Sequence, residues 1–129
     1  MTKYKSSEQR RRKRASVRFE DYIHNHLRRR FPDRLGWNIE QERTLLNGTR
    51  PDYVLYRVKY GKRERVVAEA KNVRVLTINH INQLDHYARR YHASYRLIYI
   101  PSKTFVDSSV RQHANALEIE IVRMWGFWG

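Results

Sequence analysis

The chain has no cysteine, which excludes disulfides and thiolate metal sites and leaves its redox compartment undetermined. It has no apolar run near the roughly 20 residues a membrane-spanning helix needs. Its N-terminus lacks the apolar core of a signal peptide, which favours an intracellular protein, in the cytoplasm or wherever host DNA lies. A glycine-rich phosphate loop and a Gly-x-Ser-x-Gly elbow are both missing, so ATP use and acyl transfer have no support. Zinc has none either. Six histidines are present, but His24 and His26 stand two apart, and His80 and His86 six apart, so neither pair shares a helix face well. Acids are scarce. Asp and Glu number 13 against 27 Lys and Arg, giving a formal net charge of +14. A polyanion is therefore the first partner to expect, ahead of a membrane surface or a basic protein that is merely soluble.

A length of 129 residues with 40% hydrophobic content suits one compact domain with a modest core. Residues 1 to 15 read as a basic, disordered tail: Arg10, Arg11, Arg12, Lys13 and Arg14 would repel one another in a helix. The folded domain is expected over residues 16 to 129, with Ser16 as the N-cap of its first helix. Phe19, Ile23, Leu27 and Phe31 recur every four residues and draw an apolar stripe, which Pro32-Asp33 stops. Residues 37 to 40 alternate as a short strand, and Asn47-Gly48 marks a turn. Strands follow at 52 to 58 and about 65 to 71, joined across Tyr60-Gly61-Lys62. Residues 78 to 92 carry a helical pattern, and 95 to 100 form an unbroken apolar strand suited to a buried position. A helix capped by Asp107 or Ser108 and a last strand at 118 to 122 complete the order αβββαβαβ. That order predicts an α/β fold, a mixed β-sheet flanked by helices.

The chemistry-bearing feature is Pro51-Asp52, then sixteen residues, then Glu69-Ala70-Lys71. Side chains alternate along a strand, so Glu69 and Lys71 share a face while Ala70 points the other way. If the two strands pair, Asp52 approaches Glu69, and two carboxylates with an ammonium beside them can hold a hard divalent cation next to a phosphodiester. Either half alone is weak, since Pro-Asp is common in turns and Glu-x-Lys on solvated strands. An acid and a lysine at the end of the apolar run Val66-Val67-Ala68 cost solvation unless something compensates them. The bland alternative is a salt-bridged strand end.

These residues resemble the PD-(D/E)xK nuclease superfamily, and with the element order the resemblance covers residues 16 to about 123. It implies the restriction-endonuclease-like fold and a magnesium-dependent nuclease, with manganese as a substitute. The ligands it implies are the carboxylates of Asp52 and Glu69 and the backbone oxygen of Ala70. Lys71 would position or deprotonate the attacking water, or steady the developing charge. Glu20 on the first helix matches an acid that completes the metal site in archaeal Holliday junction resolvases, with Asp21 the weaker substitute. Gln83 and Tyr87 are similar to the Gln-x-x-x-Tyr pair of RecB-like nucleases. Being four apart, they share a helix face, so Gln83 can reach the Lys71 region or a phosphate.

The expected substrate is DNA, cut internally, with a branched or junction form favoured over a duplex site. The RecB-like pair points instead to exonuclease action on single strands or ends. Phosphate contacts are expected from residues 10 to 14 and Arg50, with Tyr87 also on the nucleic-acid side. The C-terminal run Met124-Trp125-Gly126-Phe127-Trp128-Gly129 can cover a sheet edge, join a homodimer, or stack on bases; the resemblance implies a homodimer. The rivals from other classes are a non-catalytic DNA-binding protein with this fold and an RNA-binding protein of ribosomal type.

Overall fold

The computed structural model describes residues 7–41 and 51–125, with side chains of the first helix described from Phe19 onward. Arg50, the Asn47-Gly48 turn, residues 126–129 and the side chains of residues 10 to 14 lie outside that description. Helix α1 spans Ser7–Arg30. It begins nine residues before Ser16, which is therefore interior and no cap, and its backbone takes in residues 7 to 15 of the expected tail. Arginine and lysine are good helix formers, and the C-terminal half anchors the helix by burial. Phe19, Ile23 and Leu27 are at most 1% exposed, each stabilising the fold by about 1.5–3 kcal/mol. The Phe31 N–H still reaches the Leu27 carbonyl at 2.7 Å, and Pro32 then ends the run.

Strands β1 (Asn38–Gln41), β2 (Tyr53–Lys59) and β3 (Lys62–Ala70) follow. Next come β4 (Val75–Leu76), α2 (Ile78–Tyr91), β5 (Tyr95–Pro101), β6 (Phe105–Val106), α3 (Ser108–Ala116) and β7 (Ile119–Met124). The fold is α/β. Its five-stranded sheet has the order β1-β2-β3-β5-β7; β1, β2 and β3 pair antiparallel, while β5 and β7 join parallel to β3. The expected core order holds, with β4 and β6 added as a separate two-stranded parallel sheet.

Leu55, Val66, Ala68, Leu97 and Tyr99 pack with the α1 stripe on one face. Val54, Val67, Ile98 and Ile100 pack with Ile81 and Leu84 of α2 and with Val110 and Ala114 of α3 on the other. Residues 97 to 100 are buried throughout, as an apolar strand covered on both faces must be. Helix α2 starts in a capping box that the periodicity did not reveal. The Thr77 hydroxyl accepts from the His80 N–H, and His80 Nδ1 accepts from the Thr77 N–H. Among the described residues, no helix is long and apolar enough to cross a membrane.

Candidate functional site

The β2–β3 hairpin turns on two residues, Tyr60 and Gly61, with φ of 52° and 76°. Positive φ at both positions matches the twist of the flanking strands, and Lys59 pairs with Lys62. β3 therefore begins three residues earlier than its apolar pattern suggests. Counting from this turn, the last pair is Tyr53 with Ala68, so Asp52 and Glu69 meet at the open mouth of the hairpin. The Asp52 N–H donates to Glu69 Oε1 at 3.1 Å, and the Ala70 N–H donates to Asp52 Oδ2 at 2.8 Å. Each acid is held by its neighbour's backbone.

Glu69 is 3% exposed. Burial, then the Asp52 charge and a side-chain hydrogen bond with Asp52, push its carboxyl up to about 9, against smaller opposing pulls from the Asp52 N–H and then Lys71. Glu69 therefore carries a proton at neutral pH unless a cation replaces it.

Lys71 lies just past β3, where its N–H donates to the Tyr99 carbonyl at 2.9 Å. Its Nζ donates to Gln83 Oε1 at 2.8 Å, and Gln83 Nε2 donates to the Tyr87 hydroxyl at 3.1 Å. The lysine is thus aimed by one face of α2. Tyr87 is half-buried and has its hydroxyl raised, chiefly by burial and then by Glu69. It sits behind Gln83 as a support for the lysine. His80 lies close enough for the Lys71 charge, after burial, to lower its imidazole.

Glu20, exposed on α1, lines a cavity of about 120 Å³ with Gln41, Asp52, Tyr53 and Ala70. That volume equals about four waters in the liquid. Tyr53 sets the geometry. It packs with the α1 stripe, on the same face of the sheet as Leu55. Its buried hydroxyl donates to the Glu20 carbonyl at 3.3 Å and accepts from Gln41 Nε2 at 3.3 Å. Sequence reasoning missed both Tyr53 and Gln41, although strand alternation after Asp52 carried the signal for the first. His24, one helical turn from Glu20, has a buried Nδ1 with no hydrogen-bond partner, and its ring centroid is 6.5 Å from that of Tyr53.

No model of a known protein family matches the chain, and no curated protein matches it. Among solved structures it is similar to the protein of unknown function AF1548. The identity is 14% over 78% of this chain and 56% of that one, with a TM-score of 0.47. It is also similar to Pyrococcus furiosus SfsA, solved in complex with Ca2+: 18% identity over 84% of this chain and 55% of that one, TM-score 0.43. The chain thus spans just over half the length of either protein. Both are distant likenesses, and the chemistry of the site rests on its own geometry.

The donor set is hard: the carboxylates of Asp52 and Glu69 at the hairpin mouth, with Glu20 and Ala70 lining the cavity beside Asp52. A hydrated divalent cation suits such oxygens and such a volume, and its charge would offset the desolvation that keeps Glu69 protonated. Among the described residues, no three His, Asp or Glu side chains stand close enough to grip an ion together. Glu20 borders the cavity without joining the acid pair as a third ligand. Several cations are committed elsewhere. Arg89 and Arg96 both pair with Asp85, at 2.9 Å and 2.6 Å. Arg30 pairs with Glu120 at 2.7 Å.

Proposed function

We propose that this chain is a magnesium-dependent nuclease that hydrolyses phosphodiester bonds in DNA. The observation that carries the reading is the mouth of the β2–β3 hairpin, where Asp52 and Glu69 are locked together by main-chain hydrogen bonds at 3.1 Å and 2.8 Å. Lys71 stands on the same edge, held at 2.8 Å by Gln83. The carboxylates of Asp52 and Glu69 and the backbone oxygen of Ala70 would hold the ion, and Glu20 would face it from the rim of the cavity without ligating it. A bound magnesium ion there would lower the pKa of a water and balance charge on the phosphate oxygens.

The chain's own part is orientation and charge. Glu69 releases its proton when a cation takes its place. Lys71 Nζ, donating to the neutral Gln83 amide oxygen, has further donors to offer a phosphate, which suits a charge stabiliser better than a base. The motif's likeness to the PD-(D/E)xK superfamily supports the same assignment. An endonuclease acting on junction or branched DNA fits the order Glu20, Asp52, Glu69, Lys71, and the Gln83–Tyr87 hydrogen bond equally suits a RecB-like, end-directed enzyme. Manganese would substitute for magnesium.

A second reading has one observation in its favour: among the described residues no third acid converges on the pair, which suits a DNA-binding protein that keeps the fold without cleavage. One experiment separates them. Plasmid, single strands and a four-way junction are incubated with magnesium, with EDTA as control, for the wild type and Asp52→Asn. Cutting that needs magnesium and disappears in Asp52→Asn, while DNA binding is kept or strengthened, supports the nuclease. Binding without any metal-dependent cutting supports the second reading.

A further inference from the structure

β7 is the last strand of the sheet, and α3 runs back along it. Between them lies a groove of about 480 Å³ lined by Val106, Arg111, Asn115, Ile119, Ile121 and Trp125, with Glu120 and Arg123 at its border. Val106 and Ile119 lie at its base, at most 7% exposed. Trp125, at its end, is 77% exposed. The two border charges are already engaged: Glu120 holds Arg30 and Tyr95, and Arg123 donates to the Ser102 and Thr104 carbonyls. Arg111 is exposed on the first half of α3, a cation presented to whatever enters.

The groove opens at the end of the sheet where the candidate site lies. Ala70 pairs with Tyr99, and Tyr99 with Val122, so Lys71 is level with Arg123 and two strand spacings away, about 10 Å. The small β4–β6 sheet joins the two places. It pairs Val75 with Phe105, 49% and 62% exposed, a few residues after Lys71 and immediately before the groove-lining Val106. An exposed aromatic and an exposed arginine lining one groove, on a chain of net charge +14, are elements of a surface for unpaired bases. Aromatic faces take any base, and cations take the phosphates between them.

We propose that this groove binds a single-stranded segment of the DNA substrate, with a base stacked on Trp125 and a phosphate on Arg111. The inference rests on the nuclease reading of the carboxylate site and narrows its substrate to DNA with an unpaired strand beside the scissile bond.

The test is binding of a labelled oligonucleotide, single-stranded or annealed to its complement, by fluorescence anisotropy in EDTA at several salt concentrations. No cleavage is involved, so the result is independent of the nuclease reading, which the magnesium assay judges separately. Trp125→Ala is expected to weaken single-strand binding by about 5- to 160-fold and duplex binding by less than about twofold. Trp125→Phe, which keeps a stacking ring, retains most of the affinity. Arg111→Ala lowers the log–log salt slope for single strands by about 0.7, one phosphate's worth. Unchanged single-strand affinity in Trp125→Ala, or equal losses on single strand and duplex, overturns the proposal. So does a wild-type dimer that Trp125→Ala converts to monomer without loss of DNA affinity, because the groove would then hold a second copy of the chain.

Discussion

Replacing Glu69 by glutamine tests the electrostatics of the hairpin mouth directly. The carboxyl of Glu69 is raised from 4.5 to about 9, so the folded chain keeps a proton that the unfolded chain gives up from about pH 4.5 upward. The sign follows: this group's contribution is fully present below the unfolded pKa and is lost as pH rises towards the folded one. Each pH unit within that window costs about 1.4 kcal/mol, so the metal-free protein should lose about 3 kcal/mol between pH 5 and pH 7 through this group. That is a large part of the ~5–15 kcal/mol typical of a domain. Glu69→Gln fills the same space without titrating and should flatten the slope across the window. Urea denaturation in EDTA at several pH values measures it. Adding magnesium should restore stability to the wild type, increasingly so at higher pH, because the ion competes with the proton. The same addition should leave Glu69→Gln little changed. Parallel pH profiles for the two proteins in EDTA would refute the account of a buried, proton-bearing Glu69.

Two further outcomes are expected. Tyr53→Phe removes the hydroxyl that ties the Glu20 carbonyl to β2 and should lower stability by about 1 kcal/mol; equal urea midpoints would mean that the tether contributes nothing. Glu120 is held down to about 2, first by its hydrogen bond with Arg30, so its contribution is present above about pH 4.5 and is lost as pH falls towards 2. With a side chain 41% exposed, screening limits it to about 1 kcal/mol. Glu120→Gln should show a shallower acid limb in thermal melts, and an unchanged limb would place the loss on other carboxylates.

Periodicity made the larger elements readable: the four-residue spacing of Phe19, Ile23, Leu27 and Phe31 gave α1 its buried stripe, and the continuous run at 97 to 100 gave a strand covered on both faces. The meeting of Asp52 with Glu69 was also legible, because a hairpin links its register to its turn, and Tyr60-Gly61 is recognisable as one. What escaped were features too short or too individual to have a period. β4 and β6 are two residues each, and strand alternation needs more than that to show. Thr77 caps α2 with a histidine at the position where glutamate or glutamine is the familiar partner. Ser16 had the composition of a cap, but the arginines before it continue the helix. The cavity beneath Glu20 depends on where a tyrosine hydroxyl from another element ends up, which local sequence does not encode.

The turn at Tyr60 and Gly61 and the acids at Asp52 and Glu69 occupy opposite extremities of one ribbon, with seven residue pairs between them. A ribbon zipped from its bend opens first at its free tips, and here the tips carry two groups that repel when both are ionised. An ion seated there would act as a clasp, so cation occupancy and the fraying of the Tyr53–Ala68 pair are two readings of a single equilibrium.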